Sequence, residues 1–355
     1  MRTIVAFLLA ALVGGAAAPS QQQFTVQPVA PGVYAVLQPA GSRFDDSNAA
    51  VIVNADHVIV VDTQLSPGRA RAVLAEIRKL TDRPVRYVIN THWHGDHVQG
   101  NMAYHQAFPD AVFIAHRATR ADIVKRTIPD HREQLEQLPG QIEAAEKQLA
   151  SGLRRDGQPL TAEQKQILAN RIERVKASLA GLREVTGFVL PEVTFQESLT
   201  LYSGERSVRL FHRLGHTQGD AVVFLPQEKV LITGDLLDDM PFTGHGSPAE
   251  LVKTLRAFEQ LDFEVMIPGH GSVRRGKEHL RAVADTFASL VEQVQAAARE
   301  GLSLEDTRKK VNLDAFRDKV TGGDDLAVRH WNGFIPAAIE RAYQEATGQE
   351  ATGKE

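Results

Sequence analysis

The segment Thr91-His92-Trp93-His94-Gly95-Asp96-His97 constrains this chain more than any other. It follows the apolar run Val85-Arg86-Tyr87-Val88-Ile89, which reads as a strand. A regular strand or helix would throw residues so closely spaced onto different faces. A tight loop at a strand end instead folds His92, His94, Asp96 and His97 around one point. Imidazole and carboxylate donors suit zinc, iron or manganese and leave water positions open for chemistry. The chain has no cysteine, which excludes disulfides, thiolate metal sites and cysteine nucleophiles.

With 355 residues, 43% of them hydrophobic, the chain can bury a core as one large domain or one domain with an insertion. Its formal net charge of −4 gives no electrostatic reason to bind nucleic acid or an anionic membrane. At the N-terminus, Arg2 precedes an apolar run from Ile4 to Val13, then the small residues 14–18 and polar Pro19-Ser20-Gln21. That is the pattern of a signal peptide over 1–18, too short for a comfortable membrane span. A periplasmic or secreted protein, free of the membrane after cleavage, is expected.

From Phe24 to Val61 the texture is short β segments, among them 33–37, 50–53 and 58–61. Ser66-Pro67 then reads as the start of a helix over 68–80, with Val73, Leu74, Ile77 and Leu80 on one face. The strand 85–89, the His loop, a short helix near 101–108 and a strand at 112–115 follow. Strand, helix, strand and metal-capable loop is α/β logic. Residues 117–187 hold no strand-like run. Apolar residues recur there at 3-4 spacing, in one series broken by Pro139-Gly140 and in a second that starts at a Thr161/Gln164 capping box. These residues are expected to form an inserted helical hairpin. It could be a lid, an arm pairing two copies into a homodimer, or a solvated hairpin packed on its host. Strands resume at 193–195, 199–202, 208–211, 221–225, 230–233 and 265–267, with a helix over 248–261. The tail from Lys277 reads as mostly helical, with a break at 322–325 before a helix over 331–347.

Three further metal-capable residues end apolar runs beside glycine: His216, Asp235 and His270. With these residues the chain resembles the metallo-β-lactamase superfamily, whose pattern is H-x-H-x-D-H followed by separate His, Asp and His. The likeness runs from about Val33 to Gly271. It implies an αββα sandwich formed by 24–116 and 188–350, with 117–187 inserted, a helical C-terminal tail and a binuclear centre at the sheet edge. Carried over by position, His92, His94 and His216 would hold one divalent ion and Asp96, His97 and His270 a second, with Asp235 bridging. Zinc is the expected metal, with iron or manganese as alternatives. Asp62 matches the aspartate that supports the His loop from behind.

The resemblance implies a small-molecule hydrolase in which water activated between two metals cleaves an ester, lactone, thioester or amide, with Asp96 orienting that water or handling its proton. An Asp at position 235 resembles glyoxalase II and lactonases, whereas typical zinc β-lactamases carry Cys or Ser there. β-Lactam hydrolysis is therefore the alternative, and an iron-dependent persulfide dioxygenase a further one. His245, on the Gly-rich loop between Asp235 and His270, is a candidate substrate contact. Trp93 reads as packing, His212 as structural, and His330 as a residue that could line the cleft.

Overall fold

The computed structural model describes residues 24–154 and 156–349; the proposed leader at 1–18 lies outside them. The chain opens with β1 (Thr25–Ala30), β2 (Val33–Leu37), β3 (Ala49–Val53) and β4 (Val58–Val61), paired antiparallel in order. Parallel strands β5 (Val85–Ile89), β6 (Val112–His116) and β7 (Val193–Phe195) extend them into a seven-stranded sheet. Parallel neighbours need crossovers, and these are helical. Helix α1 (Pro67–Leu80) joins β4 to β5, and α2 (Gly95–Val98) with α3 (Asn101–Ala107) joins β5 to β6. Ser66 caps α1 through its hydroxyl and Pro67 opens it, as their types dictate.

Between β6 and β7 lie α4 (Arg117–Asp122), a π-helical turn at Ile123–Thr127, α5 (Ile128–Ser151) and α6 (Ala162–Arg183). Leu138, Leu179 and Leu182 join α5 to α6, and the Thr161/Gln164 capping box starts α6. Pro139 does not break the first helix: α5 runs through it without interruption. The ring sits on the exposed side, where water can hydrate the carbonyl that a proline leaves unpaired.

The second sheet has six strands: β8 (Ser198–Ser203), β9 (Arg206–Arg213), β10 (Asp220–Leu225), β11 (Val230–Gly234), β12 (Val265–Pro268) and β13 (Arg274–Arg275). Helix α7 (Pro248–Glu259) makes the crossover between parallel β11 and β12. The tail holds α8 (Glu278–Arg299), α9 (Leu304–Lys310), α10 (Asp314–Thr321) and α11 (Asp325–Thr347). The last helix starts six residues before the expected Trp331, because Asp324 caps it by accepting from Ala327 N.

The two sheets face each other through Val33, Ile52, Ile89 and Ile114 on one side and Leu210, Val223, Ile232 and Ile267 on the other. Helices α1 and α3 cover the outside of the first sheet, and α7, α8 and α11 cover the second. That is the αββα sandwich. All the metal-capable loops leave strands at one edge: Asp62 after β4, the His loop after β5, His216 between β9 and β10, Asp235 after β11 and His270 after β12. Register keeps them adjacent, since Val61 pairs with Ile89 and Gly234 with Pro268.

Candidate metal centre

Seven side chains scattered over residues 92–270 converge in two groups. His92, His94, His216 and Asp235 form one, and Asp96, His97 and His270 the other, each with ligand atoms within 4.8 Å of one another. Asp235 sits between them. Its Oδ1 lies 3.3 Å from His97 Nε2, and its Oδ2 lies 3.4 Å from His216 Nε2 and 3.6 Å from both His92 Nε2 and His270 Nε2. Asp96 Oδ2 is 3.1 Å from His270 Nε2 and 3.4 Å from His97 Nε2.

Backbone geometry makes this convergence possible at two glycines. Gly234 has φ +51, and a Cβ there would meet Thr91 Oγ1 at 2.7 Å. A Cβ at Gly269 would collide with Asp235 Oδ1. Both positions therefore admit only glycine if Asp235 is to reach its place.

The outward ring nitrogens of four of the five histidines are spoken for, which fixes the inward ones. His216 Nδ1 donates to the carbonyl of Phe242 at 2.6 Å, and His97 Nδ1 donates to Asp62 Oδ2 at 2.8 Å. Thr91 Oγ1 donates its single proton to Asp62 Oδ2, so it accepts from His92 Nδ1 at 3.0 Å. His94 Nε2 is 2.8 Å from His245 Nδ1. As neutral rings, these histidines turn bare lone pairs inward: His216 Nε2 is 3.2 Å from His92 Nε2 and 2.9 Å from His94 Nδ1. Lone pairs so close repel one another unless a cation lies between them. His97 Nε2 and Asp235 Oδ1 are moreover buried without a hydrogen-bond partner. The donor set thus fits divalent metal.

Charge tells the same story. Burial, then neighbouring His97, holds His92 well below the ordinary histidine value, and burial with His216 does the same to His94. Burial opposes ionisation of Asp96 and Asp235, yet His97 and His270 outweigh it and hold both carboxyls well below the usual range. Burial likewise opposes charge on His97 and His270, and the carboxylates overcome it and raise both. The two acids draw positive charge into the cluster, as protons or as cations that compete with them.

Other residues brace these loops. Asp62, itself at φ +63, also accepts from Thr91 N at 2.8 Å through Oδ1. Thr63 N, Thr63 Oγ1 and Asn90 Nδ2 all donate to His97 O. Ser47 Oγ donates to Asp96 O at 2.6 Å, and Asn48 Nδ2 donates to Pro268 O and Gly271 O. The insertion contributes at its root: Thr127 Oγ1 donates to Trp93 O at 2.5 Å, Thr119 Oγ1 donates to Gly219 O at 2.6 Å, and Ile123 packs with Trp93 and Val98. None of these polar loop positions carries a periodic sequence signal. Among the described residues they are legible only once the strands are placed.

The histidines outside the seven divide as follows. His245 backs His94; burial, then His216, pushes its pKa down to about 4. His116 stacks flat on His212 at 3.9 Å between ring centroids and belongs to neither group of donors. His330 is buried against Phe44, with neither ring nitrogen hydrogen-bonded.

A family model described as the metallo-beta-lactamase superfamily matches residues 42–270. The curated linear primary-alkylsulfatase of Pseudomonas sp. (strain ATCC 19151) is 25% identical over 309 residues, covering 82% of this chain; the chain spans only 54% of that relative's length. The sec-alkylsulfatase Pisa1 of Pseudomonas sp. superposes with a TM-score of 0.65 at 18% identity, over 93% of this chain and 51% of that one. The mono-zinc form of the metallo-beta-lactamase FIM-1 of Pseudomonas aeruginosa superposes at 0.51 and 16% identity, over 76% of this chain and 96% of that one.

Proposed function

Because the chain belongs to the metallo-beta-lactamase superfamily, we propose that it is a binuclear metal-dependent hydrolase of a small-molecule ester, lactone, thioester or amide. One observation carries this reading: seven imidazole and carboxylate donors turn toward a common centre, with four of the five rings held from behind. His92, His94 and His216 would hold one cation, Asp96, His97 and His270 the other, and Asp235 would touch both. Divalent cations, when bound, supply Lewis acidity and bring the pKa of water toward neutrality.

The chain's own part is positional. Asp62 sets the tautomers of His97 directly and of His92 through Thr91. The Asp96 side chain is 23% exposed against 8% for Asp235, so Asp96 is the acid that reaches the cleft. Its carboxylate would orient the attacking water and accept its proton.

A second reading is hydrolysis of a sulfate ester, favoured by the alkylsulfatase likeness that extends over 82% of the chain. Zinc is the proposed metal, with iron or manganese in its place as the alternatives. The leader would send the protein to the periplasm or beyond, and the α5–α6 hairpin would pair two copies. Metal analysis of the purified protein, followed by a panel of carboxylic esters, lactones, thioesters, alkyl sulfates and nitrocefin, tests the reading. Two metals per chain and turnover of a carbonyl substrate support it. Turnover of alkyl sulfates alone moves the assignment to the second reading, and one iron with oxygen uptake overturns both.

A further inference from the structure

We propose that an arc of six aromatic rings beside the metal centre binds an apolar hydrocarbon portion of the substrate, next to the bond that is cut. The inference rests on the hydrolase reading for what is cut, but the arc itself is read from geometry. The rings follow one another in unbroken contact. Phe44 lies 3.9 Å from His330 between centroids, His330 lies 5.1 Å from Phe334, and Phe334 lies 5.3 Å from Phe242. Phe242 is 5.2 Å from His245, and His245 is 5.2 Å from Trp93.

Three of the six rings touch metal donors. Trp93 stands 4.4 Å from His94, His245 stands 5.1 Å from His94, and Phe242 stands 6.2 Å from His216. At its other end Phe44 follows Arg43, whose carbonyl accepts from Gly271 N beside His270. The rings therefore start against His94 and His216 and end at the segment that pairs with the loop beside His270. Four separate parts of the chain supply them: the loop before β3, the His loop, the loop after β11, and α11. His330 and Phe334 lie beyond the matched residues 42–270, so the tail of this chain builds that end of the wall.

The arc offers little charge to a ligand. Arg43, over Phe44, is already paired with Asp239 and Asp324, and Arg126, over Trp93, is paired with Asp122. Phe44, Phe242 and Phe334 are only half-buried, an arrangement that leaves apolar surface for a ligand to cover. Rings of this kind accept alkyl and aryl groups by area and shape rather than by hydrogen bonds.

The test pairs turnover with a measurement that needs none. On the zinc-loaded enzyme, kcat/KM is measured for p-nitrophenyl acetate, butyrate and octanoate, and calorimetry gives Kd for butyrate through decanoate. In the wild type both series should improve by about threefold to fourfold per added methylene. The ratio of octanoate-ester to acetate-ester kcat/KM should fall at least tenfold in Phe334→Ala and in Phe44→Ala, two variants on separate elements. Flat series in the wild type, or undiminished slopes in both variants, overturn the arc. Acetate ester cleaved with both series flat leaves the hydrolase standing and removes the arc. No ester cleaved, with a carboxylate slope that the variants lose, keeps the arc and removes the esterase.

Discussion

Asp62 Oδ2 lies 2.8 Å from His97 Nδ1, and the same oxygen takes the hydroxyl proton of Thr91, whose Oγ1 backs His92. One buried carboxylate thus dictates which nitrogen two histidines present, one for each proposed metal. Replacing Asp62 with Ala should weaken metal binding about 10–100-fold, the usual effect of removing such a support. A competition titration with a chromophoric zinc chelator measures it; unchanged affinity would deny Asp62 this role.

His245 should act through His94. His245→Phe keeps a ring in the arc but removes the nitrogen 2.8 Å from His94 Nε2. Metal affinity should fall about tenfold or more, while the chain-length preference for esters persists. Unchanged metal affinity would deny His245 its role as the support of His94.

Gly269→Ala tests the close approach of the β12 loop to Asp235. The added methyl would collide with Asp235 Oδ1, so one side must move. Metal content should drop below two per chain while far-ultraviolet circular dichroism stays near wild type. A variant that retains both metals would show that the loop yields without disturbing Asp235.

Acid should destabilise the protein partly through the stacked His116–His212 pair. Burial, then neighbouring His212, lowers the pKa of His116 to about 4 from the ordinary 6.5. Between those values the unfolded chain takes up a proton that the folded protein refuses, so stability falls as pH falls from 6.5 toward 4 and is unaffected by this group above 6.5. His116→Asn keeps a side-chain acceptor for the α4 N-terminus, where His116 Nδ1 accepts from Ala118 N. Urea midpoints should drop less steeply for the variant across pH 6.5 to 4; parallel curves would exclude this source.

Thr127 ties the insertion to the His loop through Trp93 O. Thr127→Val leaves that buried carbonyl without its donor and should cost about 1–3 kcal/mol. Urea unfolding measures this, and a loss under about 0.5 kcal/mol, ordinary for surface changes, would separate the insertion from the loop.

Much of this was legible in the sequence because the signals are local. Continuous apolar runs mark the strands of a doubly covered sandwich, and His92, His94, Asp96 and His97 declare themselves by spacing alone. Pro139 misleads because a proline's effect depends on which helix face it occupies, and that face is known only after packing. The support of His97 O by Thr63 and Asn90, the link from Ser47 to Asp96, and the ring arc from Phe44 to Trp93 join residues up to some 290 positions apart. Such contacts leave no period to read. His245 was visible as chemistry but not as a partner of His94, since nothing in a Gly-rich loop fixes where its side chain turns.

The most direct test is calorimetric titration of metal-free protein with zinc, set beside the same titration of Asp235→Ala. Two equivalents should bind per wild-type chain and at least one should be lost in the variant, because Asp235 stands between the two groups of donors. No saturable binding, or identical stoichiometry in the two proteins, would contradict it.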